Sequence, residues 1–313
     1  MSTQPASPVN GNMSDLRLID GGLKRARFAD KTATFFFYLI SAAFVLLLIA
    51  FTLYVVWGGI KAMKPEIFSF GPNGIGNQFF NTVYLVVLSL LISVPIGVMA
   101  GVYMAEYAAP GKVTNTLRIA IETLSSLPSI VVGLFGYLVF IIMVHSQWNL
   151  FSGALAVSVL SLPLITSTTY DAFKALPEGY KEGSLALGAT HFETIWHVML
   201  PATVGPIVTG VILAAGRGFG EAAALLYTAG MSTDINWNVW DITSPACPLN
   251  PFRPGETLSL QVWAARTEGL GSGAMDTAAA ASAVLMIMVL VFSIGARMVS
   301  RYISKKTQGE NAK

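Results

Sequence analysis

The chain has 313 residues, of which 54% are hydrophobic and only 12% are charged. A water-soluble domain carries about 25% charged residues, so this composition argues against a soluble globular protein. The formal net charge of +2 is nearly neutral and gives no electrostatic basis for binding nucleic acid.

The N-terminal segment, residues 1–30, is rich in Ser, Pro, Asn and Gly. Such a composition cannot bury an apolar core, so we predict a flexible cytoplasmic tail. The apolar run that follows, over 35–57, is longer than the hydrophobic core of a signal peptide. We therefore predict an uncleaved span, which together with the outer loop behind it forms a separate region, residues 31–76.

Five further apolar runs are long enough to cross a bilayer, which takes about 20 residues in a helix. Their hydrophobicity is continuous and does not alternate, which disfavours a β-barrel. We predict an all-α integral membrane protein with six transmembrane helices, of which the last five form one domain over 77–300. The predicted spans cover residues 35–57, 83–104, 124–144, 150–169, 204–227 and 277–299.

Each of the second to fifth spans contains a proline: Pro95, Pro128, Pro163 and Pro206. Proline removes a backbone donor and bends a helix, which is tolerated in lipid where neighbouring groups satisfy the freed carbonyls. Singly, each proline predicts a packing kink. Together they are typical of a bundle that opens and closes.

The positions of Lys and Arg predict the orientation, because cytoplasmic loops carry an excess of these residues. With the N-terminus inside, fourteen of the nineteen fall in inner segments and four in outer segments. The remaining one, Arg217, lies within the fifth span. We therefore predict that both termini face the cytoplasm, including a C-terminal tail over 301–313.

A polar loop joins the fourth and fifth spans on the predicted cytoplasmic side. Pro177 should end the preceding helix, and Glu178 and Glu182 suit the first turns of a short new helix, where backbone dipoles favour negative charge. Gly188 then permits a sharp reversal of the chain. Small residues keep one face open to close approach by another protein, at Gly183, Ser184 and Ala186.

The spacing in this loop resembles the EAA loop of ATP-binding-cassette (ABC) importer permeases, which docks onto a cytoplasmic ATPase. The family pattern is Glu-Ala-Ala, three residues, Gly, nine residues, an aliphatic residue, one residue, then Leu-Pro. The resemblance implies that residues 182–201 form an ATPase-coupling loop, the candidate coupling loop below; the alternative is an ordinary polar loop. The residues that fit the pattern, or keep a small side chain in it, are Glu182, Gly183, Ser184, Gly188, Val198, Leu200 and Pro201.

The sequence contains neither a Gly-x-x-x-x-Gly-Lys-Ser/Thr phosphate loop nor a Gly-x-Ser-x-Gly elbow. We predict no catalytic residue and no enzyme activity, so that the ATPase must be another chain. His191, Glu193 and His197 do not share one helix face, and we predict no metal site and no cofactor. In the long outer loop over 230–275 we predict a short helix at 257–268 and interpret Cys247 as an unreactive thiol.

The fifth span contains a charged pair, Arg217 and Glu221, among three glycines. A spacing of four would put both side chains on one helix face, near or just outside the middle of the membrane. A charge there costs about 2.5–3.5 kcal/mol, so such residues usually face a cavity or a partner. Two interpretations are open: an ion pair that serves packing, or a contact with an oxyanion, in which Arg217 donates to the anion and Glu221 accepts the proton of hydrogen phosphate.

Several segments resemble the PstA-type permeases of phosphate-specific ABC importers, and the resemblance covers residues 81–300. It implies the type I ABC importer permease fold, a bacterial inner membrane location, and a place for the Arg217–Glu221 pair on the translocation path. The family usually reads Gly-Glu-Thr-Ala-Pro-Leu-Leu where this chain has Ala222 and Ala224, so we expect a straighter helix past Glu221. The segments that carry the resemblance are 106–108, 121–124, 127–136 and 217–221.

The resemblance also implies partners: a second permease subunit (PstC-like), an ATPase dimer (PstB-like), an external phosphate-binding protein (PstS-like) and membrane lipid, with no nucleic acid. We predict the permease subunit of an ATP-driven inorganic phosphate importer that works by alternating access. One alternative changes the cargo to phosphonate, sulfate or molybdate. Others are a stand-alone secondary transporter, which predicts inverted repeats that we do not find in the sequence, and a membrane sensor that never translocates.

Overall fold

The computed structural model describes residues 13–71, 74–109, 111–232, 234–269 and 273–307, and within these ranges it is helical and contains no β-strand. The all-α prediction is confirmed. Single turns of 3-10 or π geometry occur at Pro65–Phe68, Tyr103–Tyr107, Tyr137–Ile142 and Ile195–Met199. The α-helices are α1 (Met13–Ala62), α2 (Gly76–Val102), α3 (Lys112–Ser126), α4 (Ser129–Gly136), α5 (Leu150–Lys174), α6 (Glu178–Ala186), α7 (His191–Thr194), α8 (Leu200–Gly220), α9 (Ala223–Thr228), α10 (Leu258–Thr267) and α11 (Ala274–Thr307).

The chain divides into two compact units, Met1–Tyr54 and Val55–Lys313. In the described part of the first unit every residue belongs to α1, which begins at Met13, within the segment predicted to be a flexible tail. The helix extends into that polar segment because each added residue continues the backbone hydrogen-bond ladder at little cost. Residues 1–12 of the predicted tail lie outside the described residues, as do residues 308–313 at the other end.

Among the residues that the structure describes, five helical stretches are long and apolar enough to cross a membrane. They match the first, second, fourth, fifth and sixth predicted spans, because the length of an apolar run is what a bilayer selects for. The stretches are Ala26–Ala62, Gly76–Tyr107, Leu150–Lys174, His191–Gly220 and Ala274–Tyr302.

The third predicted span, over 124–144, is sharply bent at Pro128, the proline for which the sequence predicts a packing kink. The helical stretches Thr114–Ser126 and Ser129–Ile142 meet at an angle of 100°, and together they count as a sixth span only if the bent pair is taken as one. Leu127 and Pro128 are both extended, with ψ of 134° and 136°. The proline ring disfavours helical geometry at the residue before it, which explains the break. The other three span prolines lie inside helices.

The core of the second unit is built on α5, which packs along α2 on one side and against α8 on another. Two glycines of α2 allow the closest approach. A Cβ added at Gly97 would lie 2.8 Å from Cγ2 of Ile165, and one at Gly101 would lie 2.6 Å from Cβ of Thr169. Small residues at such positions let two backbones approach in a membrane, where close packing replaces the hydrophobic driving force. Helices α2 and α5 therefore meet in direct backbone contact.

Candidate functional site

The candidate coupling loop begins within α6, a helix in which no residue is buried. The backbone then reverses at Gly188, whose φ of +89° lies in the left-handed region that favours glycine. The N–H of Gly188 donates to the carbonyl oxygen of Leu185 at 3.0 Å, which closes the end of α6. The predicted short helix and the predicted reversal are both confirmed.

The return limb of the loop starts with a reciprocal cap. Oγ1 of Thr190 accepts a hydrogen bond from the backbone N–H of Glu193, and Oε2 of Glu193 accepts one from the backbone N–H of Thr190 at 2.8 Å. The Thr190 hydroxyl also donates to Oε2 of Glu193 at 2.8 Å. Glu193 thus caps α7, which leads through the π turn Ile195–Met199 directly into α8.

The seven residues that fit the loop pattern divide into two groups. Glu182, Gly183 and Gly188 lie on the open surface, and a Cβ added at either glycine would have no atom within 4 Å. The others are half-buried and belong to the packed side of the loop: Ser184, Val198, Leu200 and Pro201. The Ser184 hydroxyl lies 3.0 Å from that of Thr194, which joins α6 to α7.

The open surface of the loop also carries large apolar side chains. Leu187, at the tip, is 91% exposed, and Tyr180 and Leu185 are also exposed. Exposed apolar side chains beside small residues are typical of a surface that another protein covers. This surface, formed by α6 and the reversal at Gly188, can therefore serve as a docking face.

One residue outside the candidate coupling loop makes contacts on both sides of the Gly188 reversal. Glu106, in the π turn that ends α2, has a side chain that is only 6% exposed and that pairs with Lys181 of α6 and His191 of α7. The sequence marks Glu106 only as part of the resemblance over 106–108. The contact joins residues 75 and 85 positions apart, a separation that local spacing does not reveal.

Arg217 lies near the end of α8, on an exposed face of the helix. This face also carries Pro206, Thr209, Leu213 and Gly220, at successive helical spacings of three or four residues. Within the part of the chain that the structure describes, the Arg217 side chain makes no hydrogen bond and no ion pair. A bare guanidinium at membrane depth requires a partner protein, water or an anion beside it.

Glu221 does not share a helix face with Arg217, and the predicted i,i+4 geometry is wrong. Helix α8 ends at Gly220, Glu221 is extended with ψ of 122°, and α9 starts two residues later. The expectation of a straighter helix past Glu221 is therefore also wrong, although the prolines and threonines typical of the family are replaced by alanine here.

The break at Glu221 is stabilised by hydrogen bonds that replace the helical ones. Oε1 of Glu221 accepts from the N–H of Ala224 at 3.1 Å, and the carbonyl oxygen of Glu221 accepts from the Ser259 hydroxyl at 2.6 Å. A side chain that satisfies the first amides of a following helix competes with continuation of the preceding one. The Glu221 side chain is therefore held by the first turn of α9, one residue before the N-cap Ala222, and Glu221 is buried, with 8% exposure.

A buried polar network holds the segment between α9 and α10 against the start of α2. Arg253 is 1% exposed and donates to Oδ1 of Asn81 at 2.6 Å and to carbonyl oxygens of Pro248 and Pro254. No carboxylate pairs with it among the residues described, and burial lowers the pKa of Arg253 to about 10. Cys247 of the same segment is also buried.

Glu256 lies in this network one residue before the cap of α10, the helix predicted at 257–268. It is 6% exposed, and Oε2 accepts from Nε2 of Gln78 at 3.0 Å. Burial raises the pKa of Glu256, and the hydrogen bond from Gln78 only partly opposes this. Oε1 of Gln78 is buried and has no hydrogen-bond partner in the described ranges.

We expect Glu256→Gln to stabilise the protein at neutral pH. A carboxyl whose pKa is raised by folding stabilises the fold only while protonated, so stability is lost as the pH rises from about 4.5 through the raised value. The amide removes that cost and can donate to Oε1 of Gln78. Thermal unfolding in detergent should show a melting temperature higher by about 2–4 °C at pH 7. The gain should vanish near pH 4, whereas Glu268→Gln, at an exposed position, should change neither value.

Comparison with known proteins gives one family model that matches residues 97–309, described as the binding-protein-dependent transport system inner membrane component. The chain is 42% identical over 287 residues to the probable ABC transporter permease protein YqgI of Bacillus subtilis, covering 90% of this chain and 98% of that protein. It is 33% identical over 227 residues to the phosphate transport system permease protein PstA of Xylella fastidiosa, covering 72% of this chain and 74% of that one.

Solved structures of ABC importers share the fold. A bacterial alginate ABC transporter in complex with its pentasaccharide-bound periplasmic protein has a chain that matches with a TM-score of 0.59 and 16% identity, over 86% of this chain and 96% of that chain. An inward-facing MetNI methionine ABC transporter matches with a TM-score of 0.54 and 18% identity, over 77% and 99%. At this identity the likeness concerns the fold alone.

Proposed function

The chain belongs to the family of binding-protein-dependent transport system inner membrane components, and on that premise we propose that it is the permease subunit that carries inorganic phosphate through a bacterial inner membrane. Membership makes it a subunit of an ABC importer, which works with an ATPase and a substrate-binding protein. The choice of phosphate, the specific partners and the orientation in the membrane belong to the proposal.

The observation that carries the choice of cargo is the unpartnered guanidinium of Arg217. Arg offers a planar set of donors that matches the oxygens of phosphate, and it stays charged at any physiological pH. The similarity to PstA of Xylella fastidiosa supports the same cargo. Arg217 therefore lines the translocation path and contacts the anion.

Glu221 also acts on this path, although it does not share a helix face with Arg217. One carboxylate oxygen, Oε1, is occupied by the amide of Ala224, whereas Oε2 accepts no hydrogen bond from any described residue. That oxygen accepts a hydrogen bond from the P–OH group of hydrogen phosphate, a donor that sulfate at neutral pH lacks. Glu221 thus selects for the protonated oxyanion, and Arg217 supplies the attraction.

The docking face of the candidate coupling loop is the contact for the ATPase. It is open, its glycines leave room for a partner, and no residue that the structure describes covers its apolar side chains. ATP-driven closure of an ATPase dimer (PstB-like) moves this face. A second permease subunit (PstC-like) completes the path, and a phosphate-binding protein (PstS-like) delivers the anion from outside. Both termini then face the cytoplasm, and residues 77–300 form the permease domain.

Copurification followed by transport tests this function. The tagged chain, purified in mild detergent, should bring down a second permease and an ATPase, and vesicles containing the complex should take up labelled phosphate only with ATP and the binding protein. Unlabelled phosphate should compete, whereas phosphonate, sulfate and molybdate should not. Efficient competition by one of those anions would replace the proposed cargo, and uptake without ATP would indicate a secondary transporter.

A further inference from the structure

One carboxylate, that of Glu106 in the π turn after α2, binds side chains of α6 and α7, the helices on either side of the Gly188 reversal. Oε2 of Glu106 accepts a hydrogen bond from Nζ of Lys181 at 2.6 Å and lies 3.4 Å from Nε2 of His191. Lys181 belongs to α6 and His191 to α7, so the two limbs on either side of the Gly188 reversal meet at a single oxygen. The Glu106 side chain is 6% exposed, whereas its two partners are each more than one-third exposed.

Neighbouring contacts strengthen the same junction. Nζ of Lys174, the last residue of α5, donates to the carbonyl oxygen of Ala105 at 2.7 Å. The ring of Tyr107 packs edge-to-face on the ring of His191, with centroids 5.0 Å apart. The residues flanking Glu106 on α2 are thus bound to α5 and to α7, which fixes the direction of its carboxylate.

These contacts matter because α6 has no buried residue of its own. A helix without a buried face gains little from packing, so its position depends on the side chains that tie it to the rest of the protein. A charge-assisted hydrogen bond to a largely buried carboxylate is stronger than a hydrogen bond between two neutral groups. The Lys181–Glu106 contact is such a bond, and it connects α6 directly to a membrane-spanning helix.

We propose that Glu106 is a positioning residue that makes the candidate coupling loop and α2 move together, so that force applied to the docking face reaches the helix bundle. The proposal rests on the proposed role of the loop in ATPase coupling. Helix α2 contacts α5 through Gly97 and Gly101, and α5 packs against α8, the helix that carries Arg217. A displacement of α6 is thereby passed through Glu106 to the helices around the translocation path.

The structural part of the proposal can be tested by the mobility of the loop tip. In the purified full-length chain without the ATPase, a spin label at Leu187→Cys reports on the tip, because Leu187 is 91% exposed and the native Cys247 is only 1% exposed. Glu106→Gln and Lys181→Met should each shorten the rotational correlation time of the label. Glu122→Gln is the matched control, because Glu122 forms an exposed pair within α3 with Arg118 at 3.1 Å, and it should leave the spectrum unchanged.

The coupling part is tested by ATPase activity without the spin label. Stimulation of ATP hydrolysis by the phosphate-loaded binding protein should fall about tenfold in Glu106→Gln and in Lys181→Met, while the ATPase still copurifies. The double variant should lose no more than either single variant, because both remove the same contact. Glu122→Gln should keep normal stimulation.

The outcomes separate this proposal from the choice of cargo. If the wild-type complex imports no phosphate, the proposed cargo is wrong, but the mobility measurement still reports on the contact between Glu106 and Lys181. Wild-type mobility and wild-type stimulation in both single variants would overturn the role of Glu106. Additive losses in the double variant would also overturn it, since Glu106 and Lys181 would then act independently.

Discussion

Replacement of Arg217 by glutamine is expected to lower phosphate uptake by about 10- to 100-fold while the complex remains assembled. Hydrogen bonds to a charged group contribute about 1.5–3 kcal/mol, and glutamine keeps the length of the side chain but loses the charge and the paired donors. Because the Arg217 side chain makes no hydrogen bond and no ion pair with any described residue, its loss leaves no buried partner unsatisfied and should not unfold α8. Uptake of labelled phosphate into vesicles and copurification of the ATPase measure the two effects separately.

Two further variants make this result specific. Arg217→Lys keeps the charge but not the planar arrangement of donors, and it should retain an intermediate rate. Arg118→Gln removes an exposed arginine that pairs only with Glu122 on its own helix, and it should transport normally. If Arg217→Gln transported phosphate at the wild-type rate, Arg217 would be a packing residue and the cargo assignment would lose its main support.

Replacement of Gly188 by proline is expected to abolish both phosphate uptake and its coupling to ATP hydrolysis. The φ of +89° at this position is closed to proline, whose ring fixes φ near −65°. Proline also lacks the N–H that Gly188 donates to Leu185. The reversal would be lost, and the docking face would no longer be presented to the ATPase. Reconstituted vesicles measure uptake and ATP hydrolysis together.

The matched control at the same position is Gly188→Asn. Asparagine is the residue after glycine that best tolerates the left-handed region, and it keeps the backbone donor, so most activity should remain. The pair of variants therefore distinguishes the backbone conformation from the absence of a side chain. Normal uptake and normal ATP hydrolysis with proline at 188 would contradict the coupling role of the loop.

Much of the fold could be predicted because membrane spans depend on a property that is local in sequence. A run such as 150–169 is apolar over the full thickness of a bilayer, and this alone places a helix there. The reversal at Gly188 was predictable for a similar reason, since it depends on the missing Cβ of one residue. The return limb, with its Thr190–Glu193 cap, also follows from short-range spacing.

The features that sequence reasoning predicted wrongly or overlooked have a different physical origin. Pro128 predicts a kink, but hydropathy over 124–144 does not reveal that the bend reaches 100°, because a bent helix pair is as apolar as a straight one. Arg217 and Glu221 are four residues apart, as a shared helix face requires. The Glu221 side chain, however, accepts a hydrogen bond from the backbone of α9, and the helix that the spacing assumed ends before Glu221. Glu106 was missed because its partners are far away in sequence, and only the folded chain brings them together.

The hydrogen bond from Ala224 to Glu221 has a consequence for how such transporters diverge. Alanine at 224 has an amide hydrogen, whereas the proline usual at this place in PstA-type permeases has none, so that in those proteins the carboxylate would have no donor at that position. On the proposed role of Glu221, exchange of one residue that does not contact the cargo would change how many lone pairs of the Glu221 carboxylate remain to accept a hydrogen bond from the anion. Natural variation at position 224 would then change the affinity of the pathway for its cargo without altering any group that contacts the cargo.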